Sequence, residues 1–157
     1  MKKIKGFTLI ELLITISIIG ILAVVGLAIY PNAQKNTRDA QRKSDLRQYQ
    51  NLLEIDANKN GGFYDSRMYV QQADTAICAD LGQINCPKDP KNSDPYIYRY
   101  VTSDTSGNAA RDATNYVLWV TLENPPSGSP GSVWVVCSNG KSGLVAAGLG
   151  NYGSCPL

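Results

Sequence analysis

The chain changes character once, near residue 31. From Leu12 to Tyr30 there are 19 residues without a charge, and between Phe7 and Gln34 the one charged side chain is Glu11. That length is close to the roughly 20 apolar residues needed to cross the hydrocarbon core of a bilayer as a helix. Beyond it, Asn32 to Asn58 is rich in helix-forming polar residues, with Leu46, Tyr49, Leu53 and Ala57 spaced on one face. The pattern predicts a helix with a narrow apolar stripe, suited to lying along a sheet. Pro31 is expected to kink or loosen it, and Asn60-Gly61-Gly62 to stop it. A helix from Phe7 to about Lys59 would be on the order of 80 Å long at 1.5 Å per residue.

After the glycines the period shifts. Gly61 to Pro95 reads as loop, with Cys78 and Cys86 bracketing ADLGQIN, followed by the turn-forming run PKDPKNSDP. Three strands are predicted next: Tyr96–Val101, which alternates, then Tyr116–Leu122 and Val133–Cys137, which are apolar and β-rich. Ser103–Thr114 and Asn124–Ser132 connect them. Asn139-Gly140 is a favoured hairpin turn leading to a short fourth strand at Ser142–Ala146. The expected class is α+β: a long N-terminal helix packed on a small antiparallel β-sheet of three to four strands.

Charge and composition narrow the chemistry. The net charge is +2, and Lys2, Lys3 and Lys5 precede the apolar run; without these three the balance is +2 − 3 = −1. A near-neutral body argues against nucleic-acid binding by bulk charge. The helix charges Lys35, Arg38, Asp39, Arg42, Lys43, Asp45 and Arg47 interleave both signs, with Asp39 and Lys43 at i,i+4. That mixture favours a solvated or intersubunit face over a DNA-binding one. The chain has no histidine, the commonest general base and zinc ligand. The spacings of Cys78, Cys86, Cys137 and Cys155 do not match zinc sites; an even set beyond an export segment points to disulfides in an oxidising compartment. Pairing Cys78–Cys86 and Cys137–Cys155 closes two local loops, although four cysteines permit three pairings.

Glu11 is the anomaly. A carboxylate near the middle of a bilayer costs about 2.5–3.5 kcal/mol on insertion scales. A secretory signal peptide would have a shorter apolar region and a small-residue cleavage site. A plain anchor would explain the length and the flanking lysines, but not the acid. The combination of a basic leader, Gly6, Phe7, Thr8, Leu9, Glu11 and Gly20, with Ala23-Val24-Val25 before a proline, resembles the class III signal of type IV prepilins. Pseudopilins of type II secretion and competence systems share that signal. Within the soluble part, DLRQYQNLLE, DPYIY and YVLWVTLE are similar to major pseudopilins.

The resemblance implies cleavage after Gly6 by a prepilin peptidase and methylation of the new Phe7 amine. That amine would lie four residues from Glu11, on nearly the same helical face. Glu11 would pair with it in the monomer, and with a neighbour's amine in a filament, which makes it an assembly device. The implied divisions are a leader at 1–6, a membrane and assembly helix at 7–31, and an exported body at 32–157 that includes the amphipathic helix 32–59. The implied partners are other subunits in a homopolymer, an assembly ATPase, an inner-membrane platform protein, and membrane lipid before assembly. The lysines place the N-terminus in the cytoplasm by the positive-inside rule, with the body exported, and a cell-surface or periplasm-spanning filament after assembly.

Other motifs read as structure. Asp56–Gly61 begins like an EF-hand loop, but Arg67 stands where the bidentate glutamate is required. Gly148–Gly153 spells G-x-G-x-x-G without room for a following helix. Asp89 and Asp94 are the remaining candidates for an ion, Glu123 being the lone acid in the chain after Asp112. Tyr96, Tyr98 and Tyr100 form a stripe that either packs inward or contacts a sugar or surface. No cofactor, metal or catalytic residue is expected. The rival to a filament subunit is a monomeric membrane-anchored binding domain displaying that tyrosine face.

Overall fold

The computed structural model describes residues 6–67, 69–102, 111–126, 128–146 and 154–157. Helix α1 runs from Leu9 to Lys59, and Pro31 lies inside it without ending it. The chain divides into two compact units, the first ending at Lys35 and the second comprising Asn36–Leu157. Helix α1 stops at the predicted glycines. Gly61 adopts φ +71°, and the Gly62 N–H donates to the Ala57 carbonyl at 2.8 Å. This six-to-one bond is the Schellman closure that a glycine with positive φ permits. Asp56–Gly61 is therefore a helix end, and Arg67 pairs with Asp80.

In the second unit the stripe Leu46, Tyr49, Leu53 and Ala57 is buried, as its spacing predicts. It joins a core formed by one face of a five-stranded antiparallel sheet. The strands, in spatial order, are β2 (Gln71–Gln72), β3 (Arg99–Thr102), β5 (Tyr116–Thr121), β6 (Val133–Cys137) and β7 (Ser142–Val145). A separate antiparallel pair joins β1 (Tyr64–Asp65) to β4 (Arg111–Ala113). Strand β5 is buried on both faces. Tyr116, Leu118 and Val120 face the helix-side core, while Val117 and Trp119 join Val101, Val133, Val135 and Cys137 in a second cluster. Burial on both sides explains why this strand reads as a continuous apolar run rather than an alternation.

Three further features depart from the sequence expectation, besides the β1–β4 pair, whose strands lie in segments read as loop and connection. The segment expected to be loop contains helix α2 (Ala73–Asp80), whose two turns are too short to display a 3.6-residue period, although Ala73 and Ile77 are buried. The sheet gains a fifth member in β2, a polar two-residue edge with no apolar alternation to reveal it. The strand predicted from Tyr96 starts at Arg99, because the Tyr96 N–H closes a turn onto the Ser93 carbonyl at 2.7 Å. The structure bonds Cys78 to Cys86, fastening α2 to the following loop, and Cys137 of β6 to Cys155. Gly148–Gly153 lies outside the described residues, as does most of the Ser103–Thr114 connection.

Candidate processing and assembly segment

At the N-terminal end of α1, sequence and geometry meet at Thr8 and Glu11. A helix leaves its first N–H groups without internal acceptors. Here the Glu11 carboxylate reaches back to accept the Thr8 N–H at 2.9 Å and the Thr8 hydroxyl at 2.7 Å, while the Glu11 N–H donates to Thr8 Oγ1 at 3.3 Å. This is a reciprocal capping box. T-L-I-E has the required S/T-x-x-E spacing, so Thr8 was legible as a cap, yet the sequence reading assigned it no role. Glu11 thus has a local partner in the chain that still carries its leader. Gly6 and Phe7 precede the helix and are exposed, with Phe7 at 89 %.

The side chains that follow have no cover within the chain. Leu9, Leu13, Ile16, Leu22, Leu27 and Tyr30 are all exposed. Among the described residues α1 is the one helix long and apolar enough to cross a membrane, judged by length and composition. Its hydroxyls do not add to the polar load, because Thr15 and Ser17 each donate to a carbonyl of the preceding turn at 2.8 Å. An uncovered apolar surface of this extent requires lipid or another protein chain. The segment fits a membrane-anchored, exported protein.

In the second unit three charges of α1 depart from the expected solvated or intersubunit face, whereas Arg47 is exposed. Asp39, Arg42 and Asp45 are buried. The Arg42 guanidinium donates to Asp89 at 2.5 and 3.0 Å and to Asp39 at 2.7 Å, and pairs with Glu123 at 2.8 Å. Glu123 is also gripped by Arg38 through two bonds of 2.7 Å and by Lys91 at 2.8 Å. Asp39 accepts the backbone N–H groups of Glu123 and Asn124. Three cations and three carboxylates thus fasten α1 to the loop before β3 and to the connection after β5. Burial alone would lower the Arg42 pKa, but the bonds to Asp89, Asp39 and Glu123 hold it above its ordinary value. The Arg38 hydrogen bond, ahead of Lys91 and Arg42, holds Glu123 well below the usual carboxylate range despite its burial.

Both candidate ion ligands have cation partners: Asp89 is bonded to Arg42, and Asp94 pairs with Arg99 at 2.6 Å on the surface. The tyrosine stripe resolves in the same way. Tyr98 and Tyr100 are buried under α1, and Tyr98 meets Tyr49 edge-on at 5.9 Å. Tyr96 is half-buried between the cations of Arg42 and Lys91. The display face on which the monomeric binding-domain reading relied is therefore interior at Tyr98 and Tyr100.

The buried phenols predict alkaline unfolding. Tyr49, Tyr98, Tyr100 and Tyr116 are raised above their ordinary value, chiefly by burial, and Tyr64 is pushed up to about 12 by burial and then by Glu54. Below pH 10 both folded and unfolded phenols are neutral and this stability is intact. Above it only the unfolded state ionises. Each tyrosine then removes about 1.4 kcal/mol by pH 11, and the set about 7 kcal/mol. Detergent-solubilised protein followed by circular dichroism and phenolate absorbance should unfold in one cooperative step between pH 10 and 11.5 or so. Ionisation of all nine phenols around pH 10 with the fold intact would contradict the packing described.

Residues 1–27 match the family described as the prokaryotic N-terminal methylation motif, which supports a type IV pilin-like class III signal. No curated protein and no solved structure matches the chain.

Proposed function

We propose that the chain is a type IV pilin-like or pseudopilin-like precursor that is cut between Gly6 and Phe7, methylated on the Phe7 amine, and polymerised through its apolar helix. The observation that carries the reading is the coincidence of the methylation motif with an apolar helix that nothing in its own chain covers. Before assembly, lipid covers that surface, with the N-terminus cytoplasmic and the body exported. In a filament the helices of other copies replace the lipid, and the anchor becomes a spine. Gly20 and Gly26, with no neighbouring atoms within 4 Å of the Cβ position, allow close approach of another helix.

In this reading the chain is a structural subunit rather than an enzyme. A prepilin peptidase, an assembly ATPase and an inner-membrane platform protein are its partners. Glu11 supplies the register. Removing the leader gives Phe7 a positive amine, and this new charge competes with Thr8 for the Glu11 carboxylate. In a membrane or filament core an ion pair is costly to leave unmatched, so each carboxylate selects an amine. Gly6 tests the processing step. The residue at this position lies in the recognition segment, and Gly6→Leu adds a branched side chain there. Membrane fractions from the native host should then hold the full-length chain, whereas the parent protein is shortened. A Gly6→Leu protein shortened as fully as the parent would refute cleavage at this site.

A further inference from the structure

We propose that a groove beside α1 at Asp45 is a binding site for a guanidinium, and that it is filled by Arg47 from a second copy of this chain. This rests on the filament reading and deepens it. The groove is about 620 Å³ and is lined by Gln41, Asp45 and Gln48 of α1 and by Ile84, Asn85 and Lys88 of the disulfide-closed loop and its exit. Asp45 is only 6 % exposed. One carboxylate oxygen accepts the Tyr98 hydroxyl at 2.6 Å, and the other, without a protein partner among the described residues, is open to water in the groove. A largely buried carboxylate is stabilised when a cation takes the place of the water at its free oxygen. Glu54, the other phenol-bound acid of the body, has both oxygens occupied by Tyr64 and Tyr116. Burial raises the Asp45 pKa, the Tyr98 hydrogen bond opposes that shift and the nearby charge of Asp89 adds to it. Lys88 does not supply it, since its ammonium is directed towards Asp74 at 3.9 Å.

The matching surplus is Arg47. Arg38, Arg42, Arg67, Arg99 and Arg111 all form ion pairs, whereas exposed Arg47 has none among the described residues. Asp45 and Arg47 are two residues apart, hence about 200° apart around the helix, and cannot meet within one copy. Between copies the contact joins one face to a different face. Such a heterologous contact does not close on itself when its rotation does not close, and it then builds an open helical polymer. A guanidinium presents five donors in a planar fork, which suits one carboxylate oxygen and the amide oxygens of Gln41, Gln48 and Asn85. Ile84, 95 % exposed on the rim, would pack against the aliphatic stem.

The test uses the full chain assembled in its native host. A photo-crosslinking amino acid at position 47 should attach to the Ile84–Lys88 stretch of another copy in sheared filaments. Arg47→Ala and Asp45→Asn should each reduce recovered filament about tenfold, and the double variant should be no worse than either single. Asp45→Asn keeps an acceptor for Tyr98, and its monomer should melt within a few degrees of the parent. Crosslinks elsewhere, or fully additive losses, would overturn the groove assignment while leaving the filament reading standing. If the parent chain forms no filaments, the filament reading fails and the groove assignment falls with it.

Discussion

Arg42→Met should cost the body at least about 3–5 kcal/mol, the range seen when one partner of a buried ion pair is removed. Methionine leaves Asp39 and Asp89 without a cation, while Glu123 keeps Arg38 and Lys91. Asp39, Asp89 and Glu123 all contact Arg42, whose side chain is fully buried. With typical stabilities of about 5–15 kcal/mol, such a loss would leave much of the protein unfolded or proteolysed. The mechanism can be separated from simple loss of volume. Adding Asp39→Asn and Asp89→Asn to Arg42→Met removes both stranded charges and should recover a substantial part of the stability, since neutral replacement of a buried ionic group is often tolerated. Arg38→Met is the contrasting variant: its side chain is 27 % exposed and Glu123 keeps Arg42 and Lys91. Chemical denaturation of the three variants should rank Arg42→Met far below the other two. Equal losses for Arg38→Met and Arg42→Met would show that the network is not centred on Arg42.

Glu11→Leu should abolish filaments while leaving the protein in the membrane. Removing the carboxylate makes insertion easier, by at most the roughly 2.5–3.5 kcal/mol of a bilayer-centre charge, so a loss of assembly cannot be attributed to failed anchoring. The capping box introduces a competing explanation, because Glu11 also secures the first turn of α1 through Thr8. Losing a cap costs only about 1 kcal/mol, which cannot unmake a 51-residue helix. Glu11→Gln separates the two roles more directly. Glutamine can complete a capping box but carries no charge for the Phe7 amine. The charge-pairing account predicts that Glu11→Gln fails to assemble, as Glu11→Leu does. Full assembly by Glu11→Gln would reduce Glu11 to a cap.

The parts of this molecule that were legible in the sequence are those with a strong local signal. The uncharged run, the Leu46–Tyr49–Leu53–Ala57 stripe and the glycine stop each express a single period or a single conformational requirement, and α1 follows them. Strands β5, β6 and β7 were legible because apolar β-rich runs bounded by turn residues have few alternatives. Helix α2 and strand β2 were not, since eight and two residues are too few to establish a period. The ion network was hidden for a different reason. Asp39, Arg42 and Asp45 look like the solvated side of a helix, and their burial depends on Asp89 and Glu123, which lie 47 and 81 residues beyond Arg42. Local spacing carries no information about such partners. Thr8 was readable and its signal was present, but its capping role is subordinate in the sequence to the more specific methylation pattern around it.

The most direct test of the central claim is an intact mass with N-terminal peptide mapping of the protein extracted from its native membrane. A chain beginning at Phe7 and carrying one added methyl group is the expected result. A chain that still begins at Met1 would contradict processing at Gly6, leave Glu11 without the amine that explains it, and reduce α1 to a plain anchor.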